Sequence, residues 1–218
     1  MRRMSNAWLS TCLSGGLACC IAWPCATHAD QGFCTEKPCF LRATDKSLPR
    51  TPAPRLGTEF AMGKMRLNIP GALKKVSMPA KNLLTIKFND GTGLTARLAD
   101  NEDLLSLLPA ASRVQKISIA AAKIPQIIFS QTPEDTEPTE ANDRYIWRSM
   151  IIRKKLLFTG KSHLTHFDLP KINVYVANGI DGPFAMLALK EGGAYVEIQG
   201  RKFPFEAFER VITSVEVN

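Results

Sequence analysis

Leu84-Thr85-Ile86-Lys87-Phe88-Asn89-Asp90-Gly91-Thr92-Gly93-Leu94-Thr95-Ala96-Arg97-Leu98 is the stretch that decides the fold. Leu84, Ile86 and Phe88 alternate with Thr85 and Lys87, and Leu94, Ala96 and Leu98 resume the alternation beyond residues 89–93. A two-residue apolar period marks a strand with one buried face, and two such runs around Asn-Asp-Gly predict an antiparallel hairpin.

Working outward, Met65, Leu67 and Ile69 alternate with Arg66 and Asn68, a strand ended by Pro70-Gly71. After the hairpin, Asp100 or Asn101 caps a short helix containing Leu104, Leu105, Leu107 and Leu108, stopped by Pro109. Residues 112–123 read as a helix that Pro125 breaks, and periodicity leaves the state of Ile127-Ile128-Phe129 open. The acidic, proline-bearing stretch 132–142 is expected to be a surface loop. From Asp143 to Leu157, Ile146, Trp147, Met150, Ile151, Lys154 and Leu157 recur at three- and four-residue steps, which predicts an amphipathic helix. Four short strands follow at 162–168, 172–177, 184–189 and 194–199, separated by Asn178-Gly179, Asp181-Gly182-Pro183 and Glu191-Gly192-Gly193. Phe203-Pro204-Phe205 opens a closing helix, and residues 211–217 supply a last strand. This order predicts an α+β domain over 58–218, an antiparallel sheet with helices packed on it.

Ahead of that domain, Arg2 and Arg3 precede an uncharged run from Ala7 to Trp23 that Ser10, Thr11, Ser14, Gly15 and Gly16 interrupt. Such a run is too short and too polar for a membrane span and fits a secretory signal, with Thr27 and Ala29 before a cut at Asp30. Leu17-Ala18-Cys19-Cys20 also resembles a lipoprotein lipobox in which Cys20 is acylated, although Cys19 stands where that motif prefers a smaller residue. Either fate places the chain in the periplasm, tethered to the membrane only in the second. Cys12, Cys19, Cys20 and Cys25 lie within the leader, which leaves Cys34 and Cys39 as one disulfide in an oxidising compartment. The two thiolates alone fall short of the four ligands of structural zinc. Pro49, Pro52 and Pro54 with Lys46, Arg50 and Arg55 make 44–57 a spacer, so 30–57 reads as an extended N-terminal segment.

The formal charge is +8, and losing Arg2 and Arg3 with no acid leaves +6 on residues 30–218. A basic exported chain suits an acidic protein, an anionic membrane surface or a polyanion. Nucleic acid fits worst, because the lysines form no dense run. With 45% apolar residues the chain has enough material for a core.

Three features together resemble the PsbP-like family of small secreted α/β/α proteins. They are the strand ending in Ile69-Pro70-Gly71, the hairpin after it, and Tyr195-Val196-Glu197-Ile198-Gln199-Gly200 followed by helix and by Ile212-Thr213-Ser214-Val215-Glu216-Val217. The resemblance covers most of 58–218; the central insertion with Trp147 departs from the minimal family pattern. It implies an α/β/α sandwich and a non-catalytic binding or assembly role, and some exported relatives look like immunity proteins paired with antibacterial effectors.

Catalytic motifs are sparse. His163 and His166 are the only histidines after residue 29, and three residues apart on a strand they point to opposite faces. His166 and Asp168 share a face and are the candidate pair for an envelope hydrolase or a metal site with His163, against the plainer reading of a polar sheet face. No Gly-x-Ser-x-Gly elbow occurs, Gly91-Thr92-Gly93 lacks the context of a phosphate cradle, and no motif asks for a cofactor. The cluster Glu134, Asp135, Glu137 and Glu140 lacks calcium-loop spacing. Arg144, Tyr145, Trp147 and Arg148 are the residue types that anchor protein interfaces and form the candidate partner-binding group, with Trp147 as core being the plainer reading. The expectation is a non-enzymatic periplasmic binder, most specifically an immunity or inhibitor protein that occludes a secreted toxin or effector. A hydrolase and an envelope assembly factor are the alternatives.

Overall fold

The computed structural model describes residues 33–48, 57–69, 71–112 and 116–217. The expected signal segment, Cys20, the prolines of the expected spacer and Pro70 lie outside them. Eleven strands and four α-helices are formed among the described residues. In chain order they are β1 (Thr44–Asp45), β2 (Thr58–Met62), β3 (Met65–Ile69), β4 (Leu73–Ala80), β5 (Leu83–Phe88), β6 (Gly93–Ala99), α1 (Asn101–Leu107), α2 (Ile124–Ser130) and α3 (Ala141–Leu157). β7 (Leu164–Asp168), β8 (Ile172–Gly179), β9 (Gly182–Leu189), β10 (Tyr195–Arg201), α4 (Phe205–Thr213) and β11 (Glu216–Val217) complete the chain.

The hairpin forms as β5 and β6, with Ile86 opposite Leu94. Gly91 closes its turn at φ +83°, a conformation that β-carbon-bearing residues rarely adopt, and the Asp90 carboxylate accepts from the Thr92 amide at 2.9 Å. Eight strands assemble in the order β1-β7-β8-β9-β10-β6-β5-β4, antiparallel throughout except for the parallel β1–β7 pair. A smaller sheet, β11-β3-β2, packs with α4 on one face, where Val174, Val176, Ala185, Leu187, Val196 and Ile198 meet Leu67, Phe208 and Ile212. On the other face Tyr175, Ala177, Phe184 and Met186 meet Phe129, Ile146, Ile151 and Phe158 from α2, α3 and the residue following α3. The protein is therefore an α+β fold with helices packed on a sheet.

Local chemistry explains the helices. Asp100 caps α1 by accepting from the amides of Glu102 and Asp103, and the Asp103 carboxylate accepts in return from the Asp100 amide. Pro125 sits in the first turn of α2, where its missing N–H costs nothing, so Ile127-Ile128-Phe129 is helical.

Four expectations are corrected. Among the described residues of 112–123 there is no α-helix, only short 3-10 turns at Ala110–Ser112 and Ala121–Lys123. The reason is that side chains capture the backbone donors: Ser118 and Ile119 donate to the buried Asp143 carboxylate at 2.9 and 3.2 Å, and Ala121 donates to Asn101 at 2.8 Å. The terminal strand shrinks to β11, because Phe208, Val211 and Ile212 have helical spacing and α4 claims residues up to Thr213. β2 and β4 are strands that the sequence reading left unassigned.

The fourth correction concerns the N-terminal segment, of which residues 33–48 pack against the sheet and α3 before Thr58 is reached. Cys34 and Cys39 are paired at disulfide distance, and Cys39 is fully buried. Ala43 donates to the Phe129 carbonyl at 2.7 Å, and Lys46 donates to the His166 carbonyl at 2.9 Å, flanking the β1–β7 pair. Lys154 completes the attachment. It occupies an inward position of α3, is fully buried, and its Nζ donates to the Leu41 carbonyl at 2.6 Å and to the Gln131 carbonyl. Burial, aided by the nearby Arg42 charge, pushes its pKa down to about 7, with Asp135 opposing. A neutral amine has two N–H bonds, and both are used here.

This sets a pH dependence. Between pH 7 and the ordinary lysine value of 10.5 the unfolded chain holds the Lys154 proton more firmly than the folded chain. Stability from this group therefore rises with pH across that window and is flat below it. Lys154→Met should remove the rise, and at pH 9 it should cost about 1–3 kcal/mol by leaving two buried carbonyls without donors. Urea midpoints of both proteins at pH 7, 8 and 9 check this.

Candidate interaction surface

The candidate group on α3 is mostly committed to contacts within the protein. Trp147 is 2% exposed, packs edge-on against Phe33 with centroids 5.3 Å apart, and donates from Nε1 to Gln131 at 2.5 Å. Arg148 grips Glu137 with two hydrogen bonds of 2.8 and 2.7 Å, and its guanidinium lies 5.2 Å from the Phe33 ring centre. Arg144 donates to the carbonyls of Pro138 and Thr139 at 3.1 and 2.7 Å. Of the four, only Tyr145 is an exposed large apolar side chain. The others hold the 131–139 loop and the N-terminal segment onto α3, and Trp147 as a contact residue is corrected to core.

The histidines are likewise dispersed. His163 precedes β7 and is exposed. His166 stacks on Tyr175 with centroids 4.5 Å apart, its Nδ1 lies 2.7 Å from Asp45 Oδ1, and its Nε2 lies 3.2 Å from Asn173 Oδ1. Both ring nitrogens are thus engaged in joining β1, β7 and β8. Asp168 pairs with Lys190 at 2.6 Å, and that hydrogen bond and charge hold its carboxyl below the usual range. Burial first, and the charges of Asp45 and Asp168 after it, push the Tyr175 hydroxyl up to about 12. Among the described residues no three His, Cys, Asp or Glu side chains converge on a metal-sized site. A cleft of about 250 Å³ between residues 62–65 and 191–194 is lined by Met62, Met65, Leu98 and Leu189, with only Lys64 and Glu191 charged.

The half of the sheet that the helices leave bare is different. Helices α2 and α3 cover β7 to β9 and the start of β10, and the boundary is drawn by Arg153 of α3, which holds Glu197 with contacts of 2.9 and 2.8 Å. Beside it Arg97 pairs with Asp103 of α1 at 2.8 Å. Beyond that line, strand register stacks the residues into rows. One row runs Gln199, Thr95, Thr85, Ser77 across β10, β6, β5 and β4. The next runs Arg201, Gly93, Lys87, Lys75. Neither row contains a carboxylate. Lys75, Lys87, Gln199 and Arg201 are exposed, and among the described residues no ion pair is formed by Lys75, Lys87 or Arg201. At a strand spacing of about 4.8 Å the row is about 14 Å wide.

The sequence carried half of this signal, since Thr85, Lys87, Thr95 and Arg97 are the polar partners of the alternation. Lys75 was missed because the alternation in β4 spans only Lys75 to Met78, and the register that sets Lys75 against Lys87 is a tertiary fact. No protein-family model matches the chain, and a search of curated proteins finds no match.

Like charges directly opposite each other on neighbouring strands destabilise a sheet. Lys87→Gln should therefore raise stability by about 0.2–1 kcal/mol at low salt, and the gain should fade as salt screens the pair. Denaturant titrations at low and high salt, with Lys75→Gln and the double variant closing the cycle, measure the coupling.

Proposed function

We propose that this chain is a non-enzymatic binding protein of the periplasm that acts by covering an acidic surface on a protein partner. The most specific form of this reading is an immunity or inhibitor protein that occludes a secreted antibacterial effector. The observation that carries it is the bare Arg201-Gly93-Lys87-Lys75 row, in which cations face one another with no carboxylate between them. An acidic partner relieves the repulsion, and the relief adds to the attraction on binding. The histidine–acid pair supports the same reading, because His166 and Asp168 are engaged in internal contacts. The leader-like residues 1–29 supply the periplasmic part of the proposal. The resemblance to PsbP-like binding proteins is consistent with it.

The test is rescue of growth from a candidate secreted effector directed to the periplasm. Expression of the chain should restore growth. Combined Lys75→Glu, Lys87→Glu and Arg201→Glu should weaken binding to that effector by at least about tenfold, mostly through a slower, less salt-dependent association. His163→Ala with His166→Ala should leave affinity within about twofold, since neither side chain belongs to the cation row. Loss of protection in the folded double-histidine variant, with the charge-reversed variant still active, would overturn the reading in favour of an enzyme.

A further inference from the structure

The eight-stranded sheet ends unequally. At one side β1 offers two residues, whereas at the other β4 offers eight, Leu73–Ala80. Among the described residues nothing pairs with the outer edge of β4. The phase of the ladder identifies which groups lie open. Phe88 donates to the Thr92 carbonyl at 3.0 Å, so Phe88 and Ile86 direct their backbone groups to β6, and Thr85 and Lys87 direct theirs to β4. Lys75 and Ser77, opposite Lys87 and Thr85, therefore bond inward. Val76, between them, turns its N–H and C=O outward.

The side chains around this edge specify what it accepts. Val76 is 44% exposed and Met78 67% exposed, so two apolar side chains lie at a strand with free hydrogen-bonding groups. Val76 stands opposite Ile86, on the face that carries α4 and the small sheet. Lys75 stands on the opposite face, beside Lys87. Register irregularities between Leu73 and Lys75 and between Ser77 and Ala80, together with Pro79, confine regular pairing to the middle of the strand. A second copy docked edge to edge would bring a second set of lysines against Lys74 and Lys75, which disfavours self-pairing.

From this geometry we infer that β4 takes up an extended segment of the acidic partner as a ninth strand, with carboxylates alternating with apolar residues. The carboxylates meet Lys75 and Lys87, the apolar residues meet Val76, and the main chain bonds to the outward groups of Val76. This rests on the binding role proposed above and assigns the place and mode of contact.

The probe is a short synthetic peptide of alternating Glu and Val, titrated into the full chain and followed by fluorescence anisotropy and by amide hydrogen exchange. Exchange at Val76 should slow on binding. Val76→Pro removes one outward N–H at an edge position that tolerates proline, and should weaken binding by about tenfold. Val76→Ile keeps both the N–H and the apolar contact and should bind as the parent does. If Val76→Pro fails to fold by circular dichroism, N-methylation of alternate peptide amides decides instead, and should abolish binding in one phase only. Equal binding by Val76→Pro or by the N-methylated peptides overturns strand addition, as does equal protection of Val76 by polyphosphate. Should the triple charge reversal abolish rescue while folded Val76→Pro retains it, the acidic-partner role stands and the strand-addition mode falls.

Discussion

Burial of β8 and β9 on both faces is the constraint from which the architecture follows. Val174, Val176, Ala185 and Leu187 point one way and Tyr175, Ala177, Phe184 and Met186 the other, and all are 4% exposed or less. Two apolar faces need a layer on each side, and a chain of this length has helices and a small sheet to provide them. On the α4 side the cover extends from Phe167 of β7 to Phe88 of β5. On the α3 side it stops at the Arg153–Glu197 pair. The inner strands are sealed twice, β6 and β5 are sealed once, and the edge strand β4 lies outside the core. The exposed rows are a consequence of that uneven cover.

How far the sequence foretold this depends on which physical force set each element. The β5–β6 hairpin, α1, α3 and the β7–β10 meander are legible because burial of one or both faces dictates their apolar spacing and local turn or cap chemistry fixes their ends. β4 was not legible, since an edge strand outside the core keeps only a short alternation, Lys75-Val76-Ser77-Met78, between Lys74 and Pro79. Residues 116–120 misled in the other direction. Their composition permits a helix, but Asp143 and Asn101, distant in sequence, bind their backbone donors first. Lys154 was visible as a member of the apolar stripe of α3. What that implied, a buried amine whose partners are carbonyls of Leu41 and Gln131, required the packed structure.

The same distinction applies to the candidate sites. Trp147, Arg148 and Arg144 attracted attention as interface residue types, yet those traits also suit an internal clamp. An aromatic ring with one N–H, a planar fork for Glu137 and a cation over Phe33 fasten a loop and a disulfide-closed segment to one helix. Composition alone does not separate the two uses, because the chemistry of recognition within a chain and between chains is identical. The exposed rows gave the weaker sequence signal, since threonine, glutamine and lysine on alternate positions describe any solvated strand face. Only register distinguishes them, by aligning cations on neighbouring strands and keeping carboxylates out of both rows.

An edge of this kind faces a physical conflict that its charges resolve. Free N–H and C=O groups beside exposed Val76 and Met78 invite any extended chain, including another copy of the protein. Lysines at 74 and 75 repel such a copy, and the repulsion they bear from Lys87 makes the surface more receptive to carboxylates than an isolated lysine would be. Protection from self-pairing and the proposed preference for an acidic strand thus rest on the same side chains. Neutralising them weakens both at once, so a sheet that needs only the first could use a shorter strand, as the two-residue β1 does at the opposite edge. That β4 instead runs for eight residues, with the backbone groups of Val76 directed outward beside Lys75, is the asymmetry that a purely structural role for this edge leaves without a cause.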